Sequence, residues 1–327
     1  MDSDALVTDH ERGSTGEVDR HRRRQSWFGL KKPVKDALSH PVVHAALRVA
    51  SRVSPKLRSG RLPAPRGLAE VHARAGGASF AMLRPDRCEI AKELYWGNGR
   101  RPRAADAFAL DLVAMWAREC DVVLDIGAYT GAFTLATTAA NADLRGHAFE
   151  IVPAVADLLE ANLRRNGVED RVTVHRVGVG EPGTSMTVPR GEGGSALPSF
   201  YSSRMHFEAG VEVPFVALDS LTNDVRSSRG MVIKIDVEGT EASIFDHGSD
   251  FLERHRPSIL CELLVGQAEP DVVQRVLDPL GYRAYLVGDG RLHERSAIRP
   301  HPSYRDWWFV PEADVPRHGT LRIPIAR

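Results

Sequence analysis

Four carboxylates close four apolar runs in this chain: Asp125 in VVLDIGAYTG, Glu150 in RGHAFEI, Asp236 in MVIKIDV and Glu262 in PSILCELL. Acids so placed can accept hydrogen bonds from ribose hydroxyls, ligate a divalent cation or take a proton. The first run leads into Gly127 and Gly131, and then into a helix-like segment. Without a Cβ at either glycine, the backbone can turn sharply there and come close to a ligand.

The dinucleotide fingerprint is GxGxxG, with the pyrophosphate on the helix N-terminus. Here the spacing is GxxxG, and Asp125 would repel a diphosphate. A ligand with an adenosine ribose, no phosphate and a cationic end suits this turn better. S-adenosylmethionine has those features, and its ammonium and sulfonium centres favour a nearby carboxylate. Glu150 can accept both ribose hydroxyls through charge-assisted bonds. Dinucleotide enzymes use the same position, so a nicotinamide-dependent oxidoreductase is the alternative. A tight turn with a capping Asp in an unrelated α/β protein would also give the glycine pattern.

Asp236 is the first candidate for a catalytic base. An aliphatic hydroxyl ionises far above neutral pH, so a carboxylate must take its proton as the new bond forms, an effect of about 10²–10⁴-fold. The same residue could instead cap the EGTEASIFD helix. Lys234 shares its strand face, and a lysine in an apolar strand needs a partner. A salt bridge to Glu262 or Asp236 supplies one, and a hold on the substrate oxygen is the other reading. Asp236 and Glu262 together also raise an Mg²⁺ site, for which no third oxygen ligand is evident. His206, in GEGGSALPSFYSSRMHFEAG, is a second candidate base, beside Tyr201 and Arg204 in a loop long enough to be a lid. Glu238 and Glu241 could cap or line the site. Tyr95 and Trp96 could close over the cofactor or pack in the core, and Trp307 and Trp308 read as buried strand residues.

These residues need a scaffold that brings strand ends together. Apolar runs alternate with helical segments from about residue 104 to 280. They predict strands at 121–127, 145–151, 171–180, 231–237 and 257–264, with helices at about 131–141, 153–167, 240–254 and 270–280. Pro153 and Gly167 suit the start and end of the second of these helices. YRAYLV and DWWFVP, without a clear helix between them, predict an antiparallel pair at the sheet edge. The fold class is therefore α/β, a doubly wound and mostly parallel seven-stranded sheet, with ligands bound beyond the carboxyl ends of its strands.

Ahead of that unit, residues 1–32 read as a disordered basic tail and residues 33–67 as an amphipathic helix with a Pro/Gly/Arg linker. Residues 68–327 form the catalytic unit. The helix could dock on an anionic membrane surface or simply pack. The 43 basic and 43 acidic residues balance, which disfavours nucleic acid as a partner. Three scattered cysteines and a polar N-terminus without an export signal point to the cytoplasm, and no run of 18 apolar residues predicts a membrane span.

DIGAYTG, AFEIVPAVADLLEANLRRN, LDSL, IKIDVEGTE and the closing WWFVP resemble the FkbM-type family of S-adenosylmethionine-dependent methyltransferases, over roughly residues 88–311. The resemblance implies a Rossmann-like class I methyltransferase fold. It also implies O-methylation of a hydroxyl on a small metabolite, sugar or glycoconjugate, with cofactor positions at Asp125, Gly127, Gly131 and Glu150. Tyr129, a further cofactor position, stands where similar sequences often have Asn, a departure that bears on the contacts at the methionine end of the cofactor. A non-catalytic adenosylmethionine-fold protein is the remaining alternative. The D/N-P-P-aromatic motif of nucleic-acid N-methylating enzymes is replaced by D-V-E-G.

Overall fold

The computed structural model describes residues 38, 40–53, 62–189, 210–223, 225–237 and 239–326. The chain divides after Gly67 into two units. The described part of the first is centred on one helix, α1 (Pro41–Val53). No helix among the described residues is long and apolar enough to cross a membrane.

The second unit is built on strands whose sequences are apolar on both faces. β3 (Val122–Ile126), β9 (Met231–Ile235) and β10 (Ser258–Glu262) are buried at every position, as expected of strands with helices on either side. With β4 (Arg145–Phe149), β5 (Val172–His175), β11 (Tyr282–Val287), β12 (Leu292–Arg295) and β13 (Asp306–Pro311), they make an eight-stranded sheet of order β12-β11-β13-β10-β9-β3-β4-β5. β5, β4, β3, β9 and β10 are parallel. β13 runs antiparallel to both β10 and β11, and β12 antiparallel to β11. Strand order reverses between β3 and β9, so the ligand crevice of a doubly wound sheet falls there.

Successive side chains alternate between the two faces. Val123, Val232 and Leu260 pack with α3 (Ala104–Trp116), α4 (Ala132–Ala140) and α5 (Pro153–Asn166). Leu124, Ile233 and Ile259 pack with α6 (Glu241–Asp246), α7 (Ser249–His255) and α8 (Pro270–Leu277). The same alternation puts Asp125, Lys234 and Glu262 on the α3–α5 side.

The structure differs from the expected elements in five places. The sheet has an eighth strand, the short edge strand β12. An antiparallel hairpin, β1 (Glu70–Ala75) and β2 (Ala78–Leu83), lies against α5, where Asn162 and Asn166 accept from the backbone N–H groups of Leu83 and Ala81. The strand expected over 171–180 breaks after His175. Gly178–Val179 (β6) instead joins β8 (Gly210–Val216) and β7 (Ser185–Pro189) in a separate small sheet. The helix expected over 240–254 is two helices, because Asp219 of LDSL accepts from the Phe251 N–H and gives α7 its own N-terminus. The helix α2 (Glu89–Trp96) is a further element, N-capped by the Cys88 Sγ, which also lies 3.0 Å from Thr130 Oγ1 in the glycine turn.

Candidate active site

The turn after β3 is held in left-handed backbone conformations at Gly127 (φ +74°), Tyr129 (φ +49°) and Gly131 (φ +87°). A Cβ on Gly127 would overlap the carbonyl oxygen of Asp236. The N–H groups of Gly127 and Ala128 donate to Phe149 O, and that of Asp236 donates to Ile126 O. The ends of β3, β4 and β9 are thus laced together. Gly131 stands at the N-cap of α4, where a Cβ would run into Leu159. Its role is to let α4 and α5 approach, and unlike Gly127 and Tyr129 it does not line the cleft described below.

Lys234 is the electrostatic centre of the turn. It is buried, its Nζ donates to Gly127 O at 2.5 Å, and it lies over the Phe133 ring. Two carboxylates flank it, Asp125 Oδ1 at 3.7 Å and Asp236 Oδ2 at 3.5 Å. Burial pulls the ammonium pKa down, but the charges of Asp236, Asp125 and Glu262 outweigh it and hold the value above the ordinary one. Lys234 is therefore a fixed cation. Asp125 lies beneath the turn and does not line the cleft. Its Oδ2 accepts from the Thr134 N–H and Oγ1, at 3.0 and 2.6 Å, which satisfies the first turn of α4. Asp125, a cofactor position by its place in the motif, is held in this structure by Thr134 and Lys234.

Above the sheet's carboxyl edge opens a cleft of about 510 Å³, within the range of small-ligand sites. One end is lined by Gly127, Ala128, Tyr129, Glu150, Val152 and Val177. Glu150 is buried there, and its Oε1 accepts from the Val152 N–H at 2.8 Å. Burial pushes its carboxyl up to about 7, against the pull of the Val152 and Tyr129 N–H groups and the Lys234 charge. The Tyr129 side chain also lines this end, with its phenol pKa raised by burial.

The other end is lined by Asp236, Thr240, Glu262 and Arg305, and by Glu93 and Arg101 from and just beyond α2. Asp236 is 36% exposed, the open carboxylate of the group. It does not cap α6. No side chain caps that helix; Glu241, its first residue, instead ties down the loop before it, its buried Oε1 accepting from the Val237 and Gly239 N–H groups. Glu262 is ion-paired with Arg305 (3.0 Å) rather than with Lys234. Arg305 and Arg101 both reach the buried Asp106, at 3.6 and 3.4 Å, and Arg101 also meets Glu93 at 3.0 Å. No cluster of three His, Cys, Asp or Glu able to hold a metal occurs among the described residues. The two acids considered for Mg²⁺ each face a basic side chain of the chain itself.

His206, Tyr201, Arg204 and Glu238 lie outside the described residues. Tyr95 and Trp96 do not line the cleft; they pack edge to face, with Trp96 buried. Sequence reading missed Glu93, Arg101, Asp106 and Arg305. The one available signal was the RD pair opening RDWWFVP, a charged start to a buried strand.

A five-strand parallel run with β13 inserted antiparallel, a glycine turn after the first strand and an acid after the second define a Rossmann-like fold of the class I methyltransferase type. Residues 125–284, just under half of the chain, match the family model described as the methyltransferase FkbM domain. Among curated proteins, none matches the sequence. Similar solved structures include the methyltransferase FkbM from Methylobacillus flagellatus, at 18% identity and a TM-score of 0.41 over 58% of this chain and 44% of that one. The present chain thus spans under half the length of that structure. Others are the Bacillus cereus O-methyltransferase in complex with SAH (16%, TM-score 0.36, 62% of this chain and 77% of that one) and the O-methyltransferase TomG from Streptomyces achromogenes, involved in tomaymycin synthesis, in complex with SAM (15%, TM-score 0.37, 62% and 78%).

Proposed function

We propose that the protein is an O-methyltransferase acting on a hydroxyl of a small metabolite, sugar or glycoconjugate, with Asp236 as the base. The observation that carries this reading is the asymmetry between acids at the strand ends. Asp125 and Glu262 are tied up by Thr134, Lys234 and Arg305, whereas Asp236 is exposed in the cleft between the end holding Glu150 and the end walled by ion pairs.

The residues present fit S-adenosylmethionine. Glu150 is a cleft-lining carboxylate with one oxygen already fixed by a backbone N–H, leaving acceptor capacity for ribose hydroxyls. The Cβ-free Gly127 lets the chain approach the ligand. When bound, this cofactor supplies an electrophilic methyl group on a sulfonium. The acceptor oxygen loses its proton to Asp236 as it attacks. Lys234, whose Nζ lies 3.5 Å from Asp236 Oδ2, holds that carboxylate in place in the resting site. The Glu262–Arg305 and Glu93–Arg101 pairs wall the acceptor end with fixed polar groups that can hydrogen-bond a hydroxylated molecule.

The test is labelled-methyl transfer from S-adenosylmethionine into a cell extract, beside calorimetric binding of S-adenosylhomocysteine. Asp236→Asn is expected to keep affinity within about threefold while transfer falls about 10²–10⁴-fold. EDTA leaves the parent rate unchanged. Undiminished transfer by Asp236→Asn would overturn the assignment of the base, and absence of binding by the parent would overturn the whole reading.

A further inference from the structure

The chain's charges are segregated. Formal net charge is zero, yet between Arg20 and Arg58 eleven Lys and Arg stand against a single acid, Asp36, so the remainder carries ten surplus negative charges. The helix α1 lies inside that basic stretch and is two-faced. At 100° per residue, positions 42, 46, 49 and 53, all Val or Ala, fall on one stripe. Of the polar positions, His44 falls opposite that stripe, and Arg48 and Arg52 fall progressively closer to one of its edges. Burial runs against polarity: Val42 and Val49 are 72% and 62% exposed, whereas His44 is 3% exposed. An apolar stripe thus faces solvent within the most basic part of the molecule.

We infer that α1 and its basic flanks dock the protein on an anionic lipid surface, with the helix lying in the plane of the interface. Each alternative partner satisfies only half of the pattern. A polyphosphate chain would take the arginines and give the valines nothing. A second copy of α1 would cover the valines while bringing like charges together. An anionic bilayer supplies both a negative surface potential and an apolar boundary beneath it. At 13 residues, about 20 Å long, the helix suits lying on a bilayer and is too short to span one. Trp27 and Phe28, between Arg24 and Lys31 in the sequence, are residues that favour the headgroup region. This inference stands whether or not the O-methyltransferase reading holds.

The experiment is co-sedimentation of the full chain with phosphatidylcholine vesicles, with and without phosphatidylglycerol. The protein is expected to pellet with the anionic vesicles only, and less as salt is raised. Arg48→Gln and Arg52→Gln should each weaken binding about fivefold. The double change Val42→Glu/Val49→Glu should weaken it at least about tenfold with circular dichroism and thermal unfolding unchanged, since both side chains are exposed. No pelleting with anionic vesicles overturns the inference, as does pelleting that the valine changes leave intact. So do self-association that the valine changes abolish, and retention by duplex DNA stronger than by phosphatidylglycerol.

Discussion

Glu150 is costly to the unliganded fold. Its carboxyl moves from an ordinary 4.5 to about 7 because burial strips water from the anion faster than the Val152 N–H and Lys234 restore its stability. The unfolded chain releases this proton near pH 4.5 and the folded one near pH 7, so the native state holds more protons across that window. Stability therefore falls as pH rises from 4.5 to 7 and is flat above. At about 1.4 kcal/mol per tenfold, the loss is roughly 3 kcal/mol. Glu150→Gln keeps the shape and the acceptor oxygen for Val152 but cannot ionise. It is expected to be more stable than the parent by up to about 3 kcal/mol at pH 8, and equal to it below pH 4.5.

Urea unfolding followed by tryptophan fluorescence reads this directly, since Trp116, Trp307 and Trp308 are fully buried. Ligand binding must move in the opposite direction. Ribose hydroxyls donate to the ionised carboxylate, so the parent's affinity for S-adenosylhomocysteine should rise with pH through about 7. Glu150→Gln should bind at least about tenfold more weakly at pH 8, given roughly 1.5–3 kcal/mol for a hydrogen bond to a charged group. A variant less stable than the parent at pH 8 would refute the desolvation argument. Unchanged affinity would refute the placement of the ribose.

Two further substitutions probe the turn. Lys234→Met strands the buried Asp125 beside an apolar side chain and should cost about 3–5 kcal/mol in urea unfolding at pH 7; a loss under 1 kcal/mol would show that Thr134 alone suffices for Asp125. Gly127→Ala, at φ +74° and against the Asp236 carbonyl, should prevent soluble folding or lower the melting temperature steeply. Gly167→Ala, at φ +64° with nothing within 4 Å, should cost only about 1 kcal/mol, so similar melting temperatures for the two variants would show that the close approach is not what demands glycine.

Most of the main sheet is legible from apolar runs, because strands covered on both faces leave no room for polar alternation: VVLDI, MVIKI and SILCE have one acid or base each. Elements without that constraint escape. EVHARA of β1 alternates polar residues with small and β-branched ones, and LHER of β12 is an edge strand with two exposed positions. The break between β5 and β6 escapes as well, since RVTVHRVGVG has the same period on both sides of the point where it leaves the sheet.

The acids at the strand ends show where spacing stops being informative. Asp125 and Asp236 both follow apolar runs and both touch Lys234, yet only one faces the cleft. Register separates them. Asp125 is still inside β3, directly opposite Lys234 on β9, and its side chain points to α4, where Thr134 waits. Asp236 lies one residue past the last paired position of β9, so its carboxylate leaves the sheet and opens to the cleft while Lys234 still reaches it. Glu262 lies within the β10–β13 ladder opposite Asp306, which delivers Arg305 beside it from far along the chain. A single buried cation, positioned by strand register, thus pairs with one aspartate inside the sheet and with another at the open cleft.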